Sequence, residues 1–333
     1  MTDPEMLCQL FDAIGFDLDG VIYRGPLPIA GAPETLGELR RLGVPVSYVT
    51  NNASRPPSAV VDQLAGFGVT CITSDIVTSG QATAHLMAHT LPAGAEVLVV
   101  GSPALADEVA ACGLTPTTKR CRDTAAVVVG FNPSMTWDQM NEGCYAVQQG
   151  AAFFACNGDL NRPTDSGLSI GMGGILQAMG LALDVAPIMG GKPARPLLDE
   201  ARRRLGAKRP LFVGDRLDTD IEGAQVAGWA SLFVLSGSNG PADLVAAPPQ
   251  CRPDFLAFDI SGLLQPARVA VLSGDTWHCG RASAGANGAE ATIAGPLGSA
   301  DGRLDALWAL ANLSWAHGGQ LDVASAIKNL TNR

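Results

Sequence analysis

Short apolar runs that end in polar or acidic residues recur along the chain and alternate with stretches that are apolar at helical spacing. The first run, Ala13 to Phe16, leads straight into Asp17-Leu18-Asp19-Gly20. Glu34 to Leu42 then reads as a helix ending at Gly43, and Val44 to Val49 as a strand that delivers Thr50-Asn51-Asn52. Ser54 to Phe67 is a second helix and Cys71 to Val77 a short third strand. Strands alternating with helices argue for a parallel sheet with right-handed crossovers.

The pattern restarts near residue 80. A helix at Gln81 to His89 is followed by the strand Glu96 to Gly101, a helix at Ala104 to Ala111, the strand Ala125 to Gly130, a helix at Thr136 to Gln149, the strand Ala151 to Ala155 and a helix at Gly173 to Ala182. Gly191-Lys192-Pro193 then precedes a helix at Pro196 to Leu205, and Pro210 to Val213 runs into Gly214-Asp215-Arg216-Leu217-Asp218-Thr219-Asp220. Thr219 with Glu222 fits a capping box for a helix from Asp220 to Ala227. Ala230 to Leu235 is one more strand. The expected architecture is α/β: a doubly wound, Rossmann-like parallel-sheet core (1–79 and 188–264) interrupted by an inserted α/β domain (80–187), with a small accessory unit at 265–333. In that last segment two strands, Arg268 to Leu272 and Ala289 to Ile293, and a helix at Leu304 to Leu313 are expected, with Trp308 and Trp315 in packing positions.

Size and charge narrow the function classes. The chain has 333 residues, 47% of them apolar, and a formal net charge of −10. That balance argues against nucleic acid or an anionic membrane as the main partner, so any phosphate must be held by a few placed groups. Met1 to Leu10 lacks a basic region followed by an apolar one, and no apolar run approaches transmembrane length. Eight cysteines stand singly, without a Cys-x-x-Cys pair, which points to reduced thiols in a cytoplasm rather than to a disulfide frame or a zinc site.

Chemistry is concentrated at the strand ends. Side chains at i and i+2 of an extended segment share a side, so Asp17 and Asp19 face one pocket. Alone, Asp-x-Asp-Gly is an ordinary acidic turn. Its partners change the reading: Thr50 and Asn51, Lys192, and Asp215 with Asp220 follow other runs, and ligands of open α/β sheets bind beyond the carboxyl ends of the strands. Carboxylates gathered there repel one another by about 3 kcal/mol per pair at ~5 Å and an effective dielectric of 20. A divalent cation relieves this repulsion, and an all-oxygen donor set favours Mg²⁺ bridging to a substrate phosphate.

Four motifs in order, Asp17-Leu18-Asp19-Gly20-Val21-Ile22-Tyr23, Thr50-Asn51-Asn52, Gly191-Lys192-Pro193 and Gly214-Asp215-Arg216-Leu217-Asp218-Thr219-Asp220-Ile221, closely resemble those of the haloacid dehalogenase-like hydrolases. Within them the chain is similar to the branch with a large α/β cap, which includes NagD-like, p-nitrophenyl phosphatase-like, phosphoglycolate and pyridoxal phosphate phosphatases. Cys156-Asn157-Gly158-Asp159 resembles that branch's Thr-Asn-x-Asp, and the likeness spans roughly residues 10 to 262. The resemblance implies an Mg²⁺-dependent phosphatase with Asp17 as nucleophile and Asp19 as acid and base. It further implies Mg²⁺ on Asp17, the Asp19 carbonyl and Asp215, with Asp220 acting through metal-bound water. Thr50, Asn51, Asn52 and Lys192 would serve the phosphoryl group. The inserted domain becomes a cap that selects the substrate through 131–137 and 157–163, where Asn157, Asp159 and Asn161 suit hydroxyl groups and Arg162 a carboxylate. A small polyol phosphate is expected, glycerol 3-phosphate first and phosphoglycolate second; pyridoxal phosphate would want an aromatic slot, for which Phe131 and Trp137 are the candidates.

Two departures stand out. Ile170-Gly171-Met172-Gly173 carries methionine where relatives commonly have Gly-Thr-Gly. The resemblance carries nothing over to residues 265–333, and burying an edge, supporting a homodimer and regulation all stay open for them. A dinucleotide-binding oxidoreductase is disfavoured because no Gly-x-Gly-x-x-Gly follows the first strand, and a P-loop is excluded because Pro193 stands where Ser or Thr is required. A non-catalytic phosphometabolite sensor is expected to lack one of the carboxylates, and none is missing. A phosphotransferase shares the covalent step and differs in the exclusion of water.

Overall fold

The computed structural model describes residues 5–164 and 166–331. Part of the N-terminal segment read above, residues 1–4, lies outside them. The chain divides into two compact units, one of residues 1–45 and 208–333, the other of residues 46–207.

In the first unit, four parallel strands lie in the order Phe255–Ala257, Ala230–Val234, Pro210–Gly214 and Ala13–Phe16. Ala13–Phe16 and Pro210–Gly214 are buried at every position. Covered on both faces, such strands read as continuous apolar runs, which is why the sequence shows them clearly. Phe16 pairs with Val213, so the Asp17 and Asp215 loops leave the sheet at the same edge. Helix Ala32–Arg41 connects onward, with Pro33 in its first turn, a position where the missing proline N–H costs nothing.

The expected Thr219 capping box does not form. The chain instead passes through a π-helical turn, Leu217–Ile221, before helix Glu222–Ala227 begins. The N–H groups of Asp220 and Ile221 both return to the Arg216 carbonyl. The turn directs the Asp220 carboxylate back onto the loop ahead of it, where the Asp215 and Arg216 N–H groups need an acceptor. That demand of buried backbone donors outweighs the local capping preference.

The C-terminal segment is larger than the pattern suggests. Four antiparallel strands, Val271–Ser273, Thr276–Cys279, Ala282–Asn287 and Glu290–Ala294, form a meander, and helices Ala300–Ala316 and Ala324–Thr331 follow. Ala282–Asn287 escapes a pattern reading because Ala, Ser and Gly have little strand preference. Its alternate residues Ala282 and Ala284 are nonetheless buried in the cluster that holds the Ala300–Ala316 helix. That helix buries Leu304 and nearly every residue from Ala306 to Ser314, because one hydrophobic cluster joins it to the meander and to Phe233, Leu244 and Leu256. Trp308 and Trp315 pack edge to face with ring centroids 5.6 Å apart, and the Trp315 indole N–H donates to the Leu244 carbonyl.

In the second unit, Val46–Thr50 pairs in parallel with Ile76–Thr78. A five-stranded parallel sheet runs in the order Ile188–Met189, Ala152–Ala155, Thr124–Val129, Glu96–Val100 and Thr115–Thr117. Helix Ser79–Thr90 leads into it, and helices Pro103–Ala111, Trp137–Gln148, Met172–Gly180 and Pro196–Leu205 connect its strands or follow them. Thr78 and Gln81 form a reciprocal capping box, which starts the first of these helices two residues before the expected Gln81. The hairpin Asn161–Thr164 with Gly167–Ile170 and the short strands Thr115–Thr117 and Ile188–Met189 are elements of this unit that the apolar pattern did not announce. Among the described residues, no helix is long and apolar enough to cross a membrane.

Candidate active site

Carboxylate oxygens of Asp17, Asp215 and Asp220 lie within 4.8 Å of one another. Asp215 and Asp220 are buried and Asp17 is half-buried. Sheet geometry produces the gathering: the Asp17 N–H donates to the Val213 carbonyl at 2.9 Å, extending the ladder one step past the paired strands. The next residues of both chains therefore emerge side by side. Asp220 joins them through the π-helical turn, its Oδ2 accepting the N–H groups of Asp215 (3.1 Å) and Arg216 (3.0 Å).

Glycines allow the close approach. A Cβ on Gly20, whose φ is +90°, would stand 2.4 Å from Asp215 Oδ2, and one on Gly214 would stand 2.2 Å from the Asp220 Cβ. A Cβ on Gly237 would stand 1.9 Å from Asp215 Oδ2. Three close-set carboxylates of all-oxygen chemistry, seated where side chains have been deleted, fit a hard divalent cation such as Mg²⁺.

The loop that seats Asp215 was not anticipated. Beyond strand Ala230–Val234, the Ser238 N–H donates to Asp215 Oδ2 at 2.6 Å, and Asn239 Oδ1 accepts the Leu217 N–H that opens the π-helical turn. The Ser236 hydroxyl donates to the Gly20 carbonyl at 2.7 Å, and the Arg24 guanidinium donates to the carbonyls of Ser236 and Gly237. A signal was available: Ser236-Gly237-Ser238-Asn239 follows another parallel strand, where a small polar tip has the same standing as Thr50-Asn51-Asn52. Asp19 lies exposed on the turn whose Leu18 carbonyl accepts the N–H groups of Val21, Ile22 and Tyr23, and its side chain is outside the gathered trio.

The second unit assembles the other predicted residues. Asn51, at the end of Val46–Thr50, donates from Nδ2 to the Lys192 carbonyl (3.0 Å) and to both oxygens of Asp159 (3.2 and 3.4 Å), while its Oδ1 accepts the Lys192 N–H (2.8 Å). The Asn51 carbonyl accepts the Asn157 side-chain amide (2.7 Å) and the Ser79 hydroxyl (2.6 Å). Lys192 is 2% exposed, so it is no solvated loop lysine. Gly191 is required beside it, because a Cβ there would meet the Cys156 carbonyl at 2.3 Å and Asn51 Oδ1 at 2.7 Å. Burial pushes the Cys156 thiol up to about 12, so it stays protonated beside this loop.

Thr50 and Asn52 close a turn of their own. Thr50 Oγ1 accepts the Asn52 N–H, and Asn52 Oδ1 accepts both the N–H and the hydroxyl of Ser54. Asn52 is exposed and shapes the turn. Arg162 stands apart from the Asn51 bonds, its guanidinium 4.7 Å from the Phe131 ring centroid, and Trp137 is 72% exposed. The departure at Gly171-Met172-Gly173 acquires a reason: Cβ atoms on Gly171 and Gly173 would overlap the carbonyls of Asp159 and Gly158, and Met172 is buried among Val127, Val129 and Met179. The glycines clamp the Asn157–Asp159 loop, and the side chain between them packs the core.

Residues 14–115 match the family described as haloacid dehalogenase-like hydrolase, and residues 189–263 match its HAD-hydrolase-like companion. The D-glycerol 3-phosphate phosphatase of Mycobacterium tuberculosis is 40% identical over 267 residues, covering 80% of this chain and 75% of that protein. Phosphoglycolate phosphatase 2 of Arabidopsis thaliana is 30% identical over 284 residues, covering 77% of this chain and 94% of that protein. The crystal structure of glycerol phosphate phosphatase from Mycobacterium tuberculosis in complex with magnesium shares the fold at a TM-score of 0.85 and 37% identity, covering 94% of this chain and 93% of that one. With the strand-end carboxylates in place and relatives of this similarity, the chain belongs to the haloacid dehalogenase-like hydrolases.

Proposed function

We propose that the protein is an Mg²⁺-dependent phosphoric monoester hydrolase acting on a small polyol phosphate, glycerol 3-phosphate first and phosphoglycolate second. The observation that carries this reading is the meeting of Asp17, Asp215 and Asp220 within 4.8 Å at the carboxyl ends of adjacent parallel strands. The names of the relatives support the substrate order.

Asp17 is the nucleophile. Its carboxylate oxygen attacks phosphorus in line, the bond from phosphorus to the leaving alkoxide breaks, and Asp19 delivers a proton to that alkoxide. Asp19 then takes a proton from water, whose oxygen attacks phosphorus, releasing inorganic phosphate and restoring the Asp17 carboxylate. Half-burial of Asp17 and exposure of Asp19 suit these roles, since a nucleophile needs a fixed position and a proton carrier needs access to water. Asp17, Asp215 and the Asp19 carbonyl would hold Mg²⁺, with Asp220 acting through water, and the ion would supply the positive charge that lets an anion approach a phosphate dianion. Thr50 and Lys192 are assigned to the phosphoryl oxygens because they occupy the family's motif positions, and a buried ammonium in that role stabilises charge developing in the transition state.

The segment 80–187 is assigned as the cap, with Asn157, Asp159 and Arg162 facing the part of the substrate that leaves. The free state of all eight cysteines supports a reducing, cytoplasmic setting. A homodimer is read out by light scattering on the purified protein. The function itself is tested by Mg²⁺-dependent phosphate release from a panel of small phosphate esters, with wild type compared against Asp17→Asn. Turnover of glycerol 3-phosphate that disappears in the variant is the expected result. Undiminished turnover in Asp17→Asn would overturn the nucleophile, and a wild type inactive across the panel would favour a sensor.

A further inference from the structure

We infer that Asn51 is a positioning residue, which seats Lys192 and Asp159 and does not itself contact the phosphoryl group through its side chain. The inference rests on the phosphatase reading for what Lys192 does, and on hydrogen-bond geometry for what Asn51 does.

A side-chain amide has two N–H donors and one acceptor oxygen. In Asn51 the donors go to the Lys192 carbonyl at 3.0 Å and to the Asp159 carboxylate at 3.2 and 3.4 Å. The oxygen accepts the Lys192 N–H at 2.8 Å. Phosphoryl oxygens only accept, so a side chain whose donors are both engaged has nothing to offer them. What it does instead is hold the Lys192 residue by both its N–H and its carbonyl, as a neighbouring strand would. The sequence separation of 141 residues between Asn51 and Lys192 makes this a purely tertiary contact.

Three further contacts converge on the same residue. The Asn51 carbonyl accepts the Asn157 amide and the Ser79 hydroxyl, and Gly191 leaves the gap into which Asn51 Oδ1 fits. One asparagine therefore ties the end of strand Val46–Thr50 to the start of helix Ser79–Thr90, to the Asn157–Asp159 loop and to the Gly191–Pro193 loop. A lysine placed this way is stationed before substrate arrives. Misplacing a positioned group by about 1 Å costs on the order of 100-fold in rate.

The test is a double-mutant cycle of Asn51→Asp and Asp159→Asn in the full chain. Asn51→Asp keeps the acceptor for the Lys192 N–H but aims an oxygen at the Asp159 carboxylate and the Lys192 carbonyl. We expect kcat on glycerol 3-phosphate to fall about 100-fold with KM within about threefold. Adding Asp159→Asn returns a donor to the pair and restores at least about tenfold. Absence of any rescue, or a rise in KM with kcat unchanged, overturns the inference and returns Asn51 to the phosphoryl group. If Asn51→Asp does not fold, Asn51→Ala takes its place: it lacks both donors, and the same loss of kcat with KM unchanged is expected. The same proteins are titrated calorimetrically with inorganic phosphate in the presence of Mg²⁺. A wild type that turns nothing over but binds phosphate, with binding weakened in Asn51→Asp and restored in the double variant, would sink the hydrolase reading and keep the positioning role. Where the wild type turns nothing over, phosphate binding that is equal in all four proteins overturns the positioning role.

Discussion

The carboxylate of Asp220 accepts the backbone N–H of Asp215 at 3.1 Å, so one acidic residue of the trio builds the loop that presents another. Asp220 thus has two separable duties, as hydrogen-bond acceptor and as negative charge. Asp220→Asn keeps an oxygen for the Asp215 and Arg216 N–H groups and removes the charge. Asp220→Ala removes both and orphans two backbone donors in a buried loop, at about 1–3 kcal/mol each. In urea unfolding, the asparagine variant is expected within about 1 kcal/mol of wild type and the alanine variant roughly 2–6 kcal/mol below wild type. Mg²⁺ affinity by calorimetry falls in both. An alanine variant as stable as the asparagine one would remove the scaffolding role.

Gly237 lies against Asp215, where a Cβ would stand 1.9 Å from Oδ2. Backbone on both sides is held, by the Arg24 guanidinium on the Gly237 carbonyl and by the Ser238 N–H on Asp215 Oδ2. Gly237→Ala is therefore expected to push the Asp215 carboxylate out of the trio. Calorimetric Mg²⁺ affinity should drop by at least about tenfold, about 1.4 kcal/mol in binding free energy, with circular dichroism unchanged. Wild-type affinity in this variant would show that the loop yields without moving Asp215.

Glu200 sits buried on helix Pro196–Leu205. Burial by itself would raise its carboxyl, but hydrogen bonds from Arg203 and Arg204, and the charges of Arg204 and His85, bring it down to about 2. A carboxylate whose folded pKa lies below its unfolded value stabilises the fold above that unfolded value, and the stabilisation is lost as pH falls through the folded one. From an ordinary 4.5 to about 2, this contributes up to roughly 3 kcal/mol at neutral pH. Glu200→Gln should be less stable than wild type at pH 7, and the two should converge as pH falls from about 4.5 towards 2. A gap that stays constant between pH 7 and pH 3 in urea midpoints would contradict the ion cluster.

Leu310 is fully buried in the cluster that joins the Ala300–Ala316 helix to Phe233, Leu244 and Leu256. If the C-terminal segment shares that core, Leu310→Ala costs about 2–5 kcal/mol in a single cooperative transition. If the segment were an independent attachment, the variant would show a separate early transition with the main one unmoved, which differential scanning calorimetry distinguishes.

Much of the architecture and the carboxylates were legible in the chain alone. Ala13–Phe16 and Pro210–Gly214 are apolar throughout because both faces are covered, and the residues that follow such strands, Asp17 and Asp215, emerge at the ligand edge by the geometry of parallel sheets. Local pattern sufficed because burial acts on every residue of those runs. It did not suffice for Ala282–Asn287, whose small residues carry little intrinsic preference and become a strand only against the helix that buries them. Nor did it suffice for Thr219, where a capping signal yielded to the need of the Asp215 and Arg216 N–H groups for the Asp220 carboxylate. Residue types and their order thus determined that carboxylates, an asparagine pair and a lysine stand at strand ends. Tertiary structure decided that Asn51 spends its amide on Lys192 and Asp159, and that Gly237 and Ser238 seat Asp215. The reason is physical: hydrogen-bond partners are chosen by distance in space, and Asn51 and Lys192 are 141 residues apart in sequence.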